Sequence, residues 1–283
     1  MSDGPVQPNE SVRFTLLYED AHVAVIVKPA GLVTQPGKGH ERDSLLNGLL
    51  ARFDERLRRL GARRDYGLLH RLDRDTSGLL VVALTESAYD GLRRAFESRR
   101  VRKYYWAVVE GAPRRESGVI RRSIMEVLAR PEGGGRGPAP MKLARISAGG
   151  KPALTAYRVL SSARGISLLD CRTLTGRLHQ VRVHLASIGC PILGDSFYGT
   201  PAARSLARRL ALHAHRLVLP HPSGDLLDCT AGWPADLRGL LRHAGLPPPH
   251  ALQGATLRAP RPVDREQDVD DDGVGDEHPR VGQ

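Results

Sequence analysis

The sequence predicts an α+β protein with a mixed, largely antiparallel β-sheet and flanking helices. Three observations carry this. Strand-like and helix-like stretches alternate without a regular strand–helix–strand rhythm, which argues against a doubly wound parallel fold. No repeat of 20–50 residues occurs, so a solenoid is not expected. Of 283 residues, 41% are hydrophobic, enough for a sizeable core. Yet the longest apolar runs, Val23–Val27 and Leu79–Leu84, fall far short of the ~18 residues that span a bilayer.

The elements follow in order. Residues 1–11 are polar and expected to be flexible, with neither the basic nor the apolar region of a secretory signal. Phe14–Tyr18 and His22–Lys28 read as strands around a turn at Glu19-Asp20, and Pro29-Ala30-Gly31 ends the second. Ser44–Arg59 reads as a helix, because Leu45, Leu46, Leu49, Leu50, Phe53 and Leu57 recur at helical spacing; Asp43 is placed to cap it. Ser77–Leu84 is a near-continuous apolar run, too short for a helix, and reads as a buried strand. A helix over Ser87–Arg99 and a strand over Arg102–Glu110 come next. The segment 112–150 is rich in Gly and Pro, and Pro131–Pro140 reads as a loop. Further strands are expected at Leu154–Leu160, Ile166–Arg172 and His213–Leu219, and helices at Arg177–Ile188 and Ala235–His243. One folded domain thus covers 12–246, followed by a Pro-rich, then acidic, disordered tail over 247–283.

The net charge of +11 blends two unlike parts. Residues 261–283 hold three arginines against eight acids, a net −5, so residues 1–260 carry +16. A basic body points to a polyanionic partner such as nucleic acid. The competing reading is an arginine bias on solvated faces, since only five of the 42 basic residues are lysine. Three widely spaced cysteines, with no CxxC pair, support neither a disulfide framework nor a zinc knuckle and suit a reducing cytoplasm.

Three clusters carry candidate chemistry. His70-Arg71-Leu72-Asp73-Arg74-Asp75-Thr76-Ser77-Gly78 sits just before the buried strand, where a rigid element can support a site. Its Asp73-x-Asp75 resembles the start of a Mg²⁺-dependent aspartyl phosphatase signature, although Arg71 and Arg74 flank the acid and His70 and Arg71 interrupt the approach. Neither a GxxxxGK[ST] nor a GxGxxG after a strand is present to cradle phosphate. The third reading is a carboxylate kept ionised by neighbouring cations, suited to attack an electrophilic carbon on a polyanion. The second cluster is Leu174–His184, where His179 and Arg182 share a helical face and Arg177 near a helix N-terminus could bind phosphate. The third is Lys103-Tyr104-Tyr105-Trp106, where strand alternation puts Lys103 and Tyr105 on one face and a ring could stack on a nucleobase. His213 and His215 could pair as zinc ligands, but packing or hydrogen bonding suits them better, as no cysteine or acid clusters beside them.

These residues resemble the RluA type of pseudouridine synthase. HRLDRDTSG at His70–Gly78 matches that family's HRLDxxTSG, and Lys28–Leu32 resembles its KPAGL element. KYYWAVVEG at Lys103–Gly111 fits KxYxAxVxG, LTGRLHQVRVHL at Leu174–Leu185 resembles LTGRxHQ[IL]RVH, and Pro191–Asp195 with Tyr198 fits PILGDxxY. Leu212-His213-Ala214 fits the LHA element, so the motifs run in family order across about residues 12–243. Leu178 stands where many members have Thr or Ser, and Val181 where Ile or Leu is usual.

The resemblance implies an enzyme that turns selected uridines of RNA into pseudouridine without cofactor or metal. It implies that Asp73 is the catalytic carboxylate, that Tyr105 packs against the target base, and that Arg182 pairs with Asp73. By the same analogy Arg71 fills the gap left by an extruded base, and Arg74, Arg177, His179, Lys28 and Lys103 contact RNA. With no room before Ser11 for an S4 RNA-binding module, the chain is similar to compact members acting on large-subunit rRNA or a tRNA stem-loop. A cytoplasmic monomer with no membrane contact is expected. The competing functions are the Mg²⁺-dependent phosphatase and a non-catalytic RNA-binding protein.

Overall fold

The computed structural model describes residues 6–129, 141–249 and 254–258. The chain opens with β1 (Thr15–Glu19), β2 (Val23–Lys28) and α1 (Leu45–Leu60). Then come β3 (Ser77–Ala83), α2 (Glu86–Glu97), β4 (Arg102–Glu110), β5 (Ser117–Arg121), β6 (Ile124–Ala129) and β7 (Met141–Ile146). β8 (Leu154–Ala163), β9 (Ile166–Thr173), α3 (Gln180–Ser187) and α4 (Pro201–Ser205) follow. The described chain ends with β10 (Leu212–Pro220), β11 (Leu226–Thr230), α5 (Arg238–Ala244) and β12 (Gly254–Arg258).

Ten strands form one sheet in the order β1-β2-β3-β10-β4-β9-β8-β5, with β11 beside β10 and β12 beside β11. Among the described residues only β3 and β10 run parallel, through the short register His213↔Ser77 and Ala214↔Gly78; every other pairing in the sheet is antiparallel. The sheet is therefore mixed and largely antiparallel, as expected. All seven residues of β3 are buried, which is why its sequence reads as an unbroken apolar run. α2 packs on β3 and β10, and α3 packs on β7, β8 and β9. The three cysteines are free and buried, and no helix among the described residues is long and apolar enough to cross a membrane.

Several expectations are corrected. Ser44, not Asp43, caps α1: its Oγ accepts the Asn47 N–H in a capping box, while Asp43 turns to His40 at 3.1 Å. The helix expected from Arg177 starts only at Gln180, because His179 adopts a left-handed backbone (φ +50°) that a continuing helix cannot hold. The connection 112–150, of unassigned conformation, contains β5 and the separate hairpin β6–β7. The loop expected at 131–140 lies outside the described residues. Residues 6–11 are not free: the Asn9 N–H donates to Asn47 O at 2.9 Å, and Asn47 Nδ2 donates to Gln7 O at 2.6 Å. β12 falls inside the expected tail and pairs with β11, so the folded unit reaches Arg258. The expected acidic stretch beyond it lies outside the described residues.

β3 meets β10 most closely at Gly78, whose φ is +125° and whose added Cβ would lie 2.3 Å from Ala214 O. Only glycine fits such a conformation against backbone. Gly78→Ala is expected to lower thermal stability by several degrees, about 2 kcal/mol or more. Gly91→Ala, at an open position in α2, is expected to hold or slightly raise it. Calorimetry on both variants checks the contrast.

Candidate active site

The segment between His70 and Thr76 is an irregular loop held from three sides. His70 Nε2 accepts the Val81 N–H at 3.1 Å, and burial pushes this imidazole down to about 3, so it is a neutral acceptor at physiological pH. Thr34 Oγ1 donates to Leu72 O at 2.8 Å and accepts the Leu72 N–H at 3.2 Å. The carbonyl of Arg74 receives the Gly31 N–H at 2.8 Å and the Lys28 ammonium at 3.0 Å. A turn closed by the Thr76 N–H on Asp73 O, at 3.2 Å, leads into β3.

Lys28 corrects an expectation. It is fully buried, and Nζ donates to Pro29 O at 2.8 Å and Leu32 O at 2.6 Å as well as to Arg74 O. Three carbonyls match the three N–H groups of an ammonium, while burial pushes its pKa down to about 7 against the pull of Asp73 and Asp75. Lys28 ties the loop to the end of β2 and has no surface to offer RNA.

The other candidates meet in one open cleft of about 1130 Å³, lined by Arg71, Asp73, Arg74, Lys103, Tyr105, Arg177, His179 and Arg182. Strand alternation holds as expected: Lys103 and Tyr105 face the cleft, whereas Trp106 on the other face stacks on His215 at 3.9 Å. Burial, with the nearby negative charge of Asp73, pushes the Tyr105 phenol well above its ordinary value, so it stays protonated. The Lys103 ammonium lies 5.7 Å from the centre of the Phe96 ring, and burial lowers its pKa. Arg71 is exposed at the cleft, and Arg74 is exposed and paired with Asp75 at 3.1 Å. Arg177 precedes α3 and is not at its N-terminus: its N–H goes to Gln180 Oε1 at 3.0 Å and its Nε to Pro152 O at 3.2 Å. Glu126 of β6 and Lys142 of β7 border the same cleft.

Arg182 organises the centre. Its guanidinium is almost fully buried, and it forks onto Asp195, with Nε to Oδ2 and Nη2 to Oδ1 both at 2.8 Å. The remaining nitrogen, Nη1, reaches Asp73 Oδ2 at 3.2 Å. Asp195 Oδ1 also accepts the N–H groups of Phe197 and Tyr198 at 3.0 and 3.1 Å. Burial opposes the charge of Asp195, but these bonds and the guanidinium win and hold its carboxyl below the usual range. His179 Nε2 lies 3.8 Å from the same Asp73 Oδ2. Both neighbours of Asp73 thus fall on Oδ2, leaving Oδ1 without a protein partner among the described residues. In the sequence Asp195 stands out only as part of the PILGDxxY match. A buried arginine needs a second anion when its first faces substrate, but the burial of Arg182 is visible only in the fold.

The phosphatase reading finds no support. Asp75 pairs with Arg74, and among the described residues no three His, Cys, Asp or Glu side chains gather as a metal ion would require. His213 and His215 likewise part company: Nδ1 of His213 meets Ser77 Oγ at 2.9 Å, and Nε2 of His215 meets Asp170 Oδ1 at 3.0 Å.

Asp195→Asn is expected to cost about 3 kcal/mol at pH 7, because it leaves a buried guanidinium half-paired. The wild-type carboxyl titrates below its ordinary 3.8 in the folded state, so its contribution is complete above that pH and is lost as pH falls through the lower folded value. Denaturant melts of both proteins should therefore differ fully at pH 7 and converge below about pH 4. A gap that widened on acidification would contradict this.

Comparison with known proteins agrees with the geometry. A family model described as RNA pseudouridylate synthase matches residues 22–187. Ribosomal large subunit pseudouridine synthase D of Zymomonas mobilis is 38% identical over 242 residues, covering 82% of this chain and 73% of the relative. The protein of that name from Nitrosomonas europaea is 40% identical over 241 residues, covering 82% of this chain and 66% of the relative. Among solved structures, Human RNA Pseudouridylate Synthase Domain Containing 4 aligns with a TM-score of 0.64 at 28% identity, covering 83% of this chain and 95% of that one. The matched span includes Asp73, Tyr105 and Arg182, and on sequence and fold together the chain belongs to the RNA pseudouridylate synthase family.

Proposed function

We propose that this RNA pseudouridine synthase modifies selected uridines of large-subunit ribosomal RNA, with Asp73 as the catalytic carboxylate. The observation that carries the role of Asp73 is its asymmetry: Oδ2 is held by Arg182, and Oδ1 has no partner among the described residues, on a side chain that lines the cleft. In the reaction N1–C1′ breaks, the base turns, C5 joins C1′, and a proton leaves C5 as one is gained at N1. Nothing is consumed, so the site must supply only a carboxylate, proton transfer and a shaped surface. Tyr105 remains a neutral phenol that packs against the base. The reacting atoms are inaccessible in a stacked helix, so the uridine is extruded, and exposed Arg71 fills the space it leaves. Lys103, Arg74 and Arg177 supply positive charge for the phosphates. The names of the bacterial relatives support the ribosomal substrate over a tRNA stem-loop. A cytoplasmic monomer completes the reading.

The test is chemical mapping of pseudouridine in large-subunit rRNA and tRNA after incubation with the purified protein. Asp73→Asn should bind RNA within about twofold of wild type yet lose about 10³-fold or more in rate. Modification should survive EDTA. Unchanged turnover in Asp73→Asn would contradict the assigned role, and modification confined to tRNA would overturn the ribosomal substrate.

A further inference from the structure

His179 has a conformation that RNA contact does not explain. Its backbone sits in the left-handed region (φ +50°, ψ 25°), costly for a residue with a Cβ, and its side chain is only 10% exposed. The ring has a polar neighbour at each nitrogen, and one of them is a hydrogen bond. Nδ1 meets the Tyr198 hydroxyl at 2.8 Å, and Nε2 faces Asp73 Oδ2 at 3.8 Å. The Tyr198 oxygen in turn accepts the Ala144 N–H of β7 at 2.8 Å.

The geometry points to His179 as a positioning residue for the catalytic carboxylate, fixed by Tyr198 as the neutral tautomer that carries its proton on Nε2. This rests on the role assigned to Asp73. Two arguments select that tautomer. With Ala144 donating to its oxygen, Tyr198 has one proton to give, and His179 Nδ1 is its sole acceptor among the described residues. A proton on Nδ1 would leave that hydroxyl hydrogen without a protein acceptor in a half-buried place and aim the Nε2 lone pair at a carboxylate oxygen. The charged groups around the ring are Asp73, Arg182, Asp195 and Arg71; burial outweighs the attraction of the acids and keeps the imidazole neutral. Burial also pushes the Tyr198 phenol up to about 12, so the donor persists.

The consequence is steric as well as electrical. The Nε2–H of His179 and Nη1 of Arg182 converge on Oδ2 of Asp73, at 3.8 and 3.2 Å, and both oppose rotation of the carboxylate. The path begins on β7, whose Met141 and Lys142 border the cleft; two hydrogen bonds, through Tyr198, lead from this hairpin to the His179 ring, whose Nε2 lies 3.8 Å from the carboxylate.

The test reads the tautomer directly. Long-range ¹H–¹⁵N spectra of the RNA-free protein, labelled at histidine and assigned with His179→Gln, should show the Nε2–H pattern for His179 at pH 7.5. Tyr198→Phe should convert it to a mixture of tautomers. Single-turnover rates in Tyr198→Phe should fall about tenfold, with RNA affinity within about twofold. His179→Gln, which keeps an N–H for Asp73, should retain more rate than His179→Ala. A wild-type signal from the Nδ1–H tautomer or from imidazolium would overturn the proposal even if the variants failed to fold. So would a wild-type rate in folded Tyr198→Phe. Absence of pseudouridine formation by wild type would instead defeat the functional reading, because the spectrum requires no RNA.

Discussion

The site depends on one buried guanidinium shared between two carboxylates. Arg182 cannot be deprotonated and is removed from water, so its charge must be met inside the protein. Asp195, wholly buried, takes the planar two-point bond that only an arginine provides. The third direction of the guanidinium is then free to reach Asp73, which lies at the cleft edge with a side chain 19% exposed. An arginine paired with Asp73 alone would follow that side chain wherever it moved. Anchored by Asp195, it instead holds one carboxylate oxygen in place and leaves the other without a partner among the described residues.

The same logic explains the loop. A catalytic loop carries main-chain groups that no sheet satisfies, and here the end of β2 supplies them with partners. Lys28, Gly31 and Thr34 bond to carbonyls or N–H groups of Leu72 and Arg74, on either side of Asp73. Gly78 lets β3 approach β10 closely just beyond it. The carboxylate is thus supported on one side by backbone, through a segment remote in sequence, and on the other by side chains of α3 and the segment after it. Such preorganisation lets a group act without first finding its geometry.

Much of this was legible in the residues, and what was not has physical causes. The strands β2, β3 and β4 announce themselves because both faces of each are largely buried. β6 and β7 do not: although both are largely apolar, they form a separate hairpin with one buried position in each strand, inside a Gly- and Pro-rich connection. Eight of the nine candidate residues line the cleft, since motifs preserve which side chains face a site. Lys28 misled because charge suggests surface, whereas its ammonium is enclosed by three carbonyls. His179 was read as lying within a helix, and the left-handed turn that aims it at Asp73 has no signature in residue type, unlike a glycine.

The central claim is that the charge of Asp195 acts on the reaction through Arg182; asparagine removes that charge but keeps the Oδ1 that accepts the Phe197 and Tyr198 N–H groups. A double-mutant cycle on single-turnover pseudouridine formation tests it most directly, using Asp195→Asn, Arg182→Lys and the pair. Lysine keeps the charge but loses the fork, so it breaks the shared geometry without emptying the site. The account predicts that the double variant reacts within about twofold of Arg182→Lys alone. Losses that multiplied independently would contradict it.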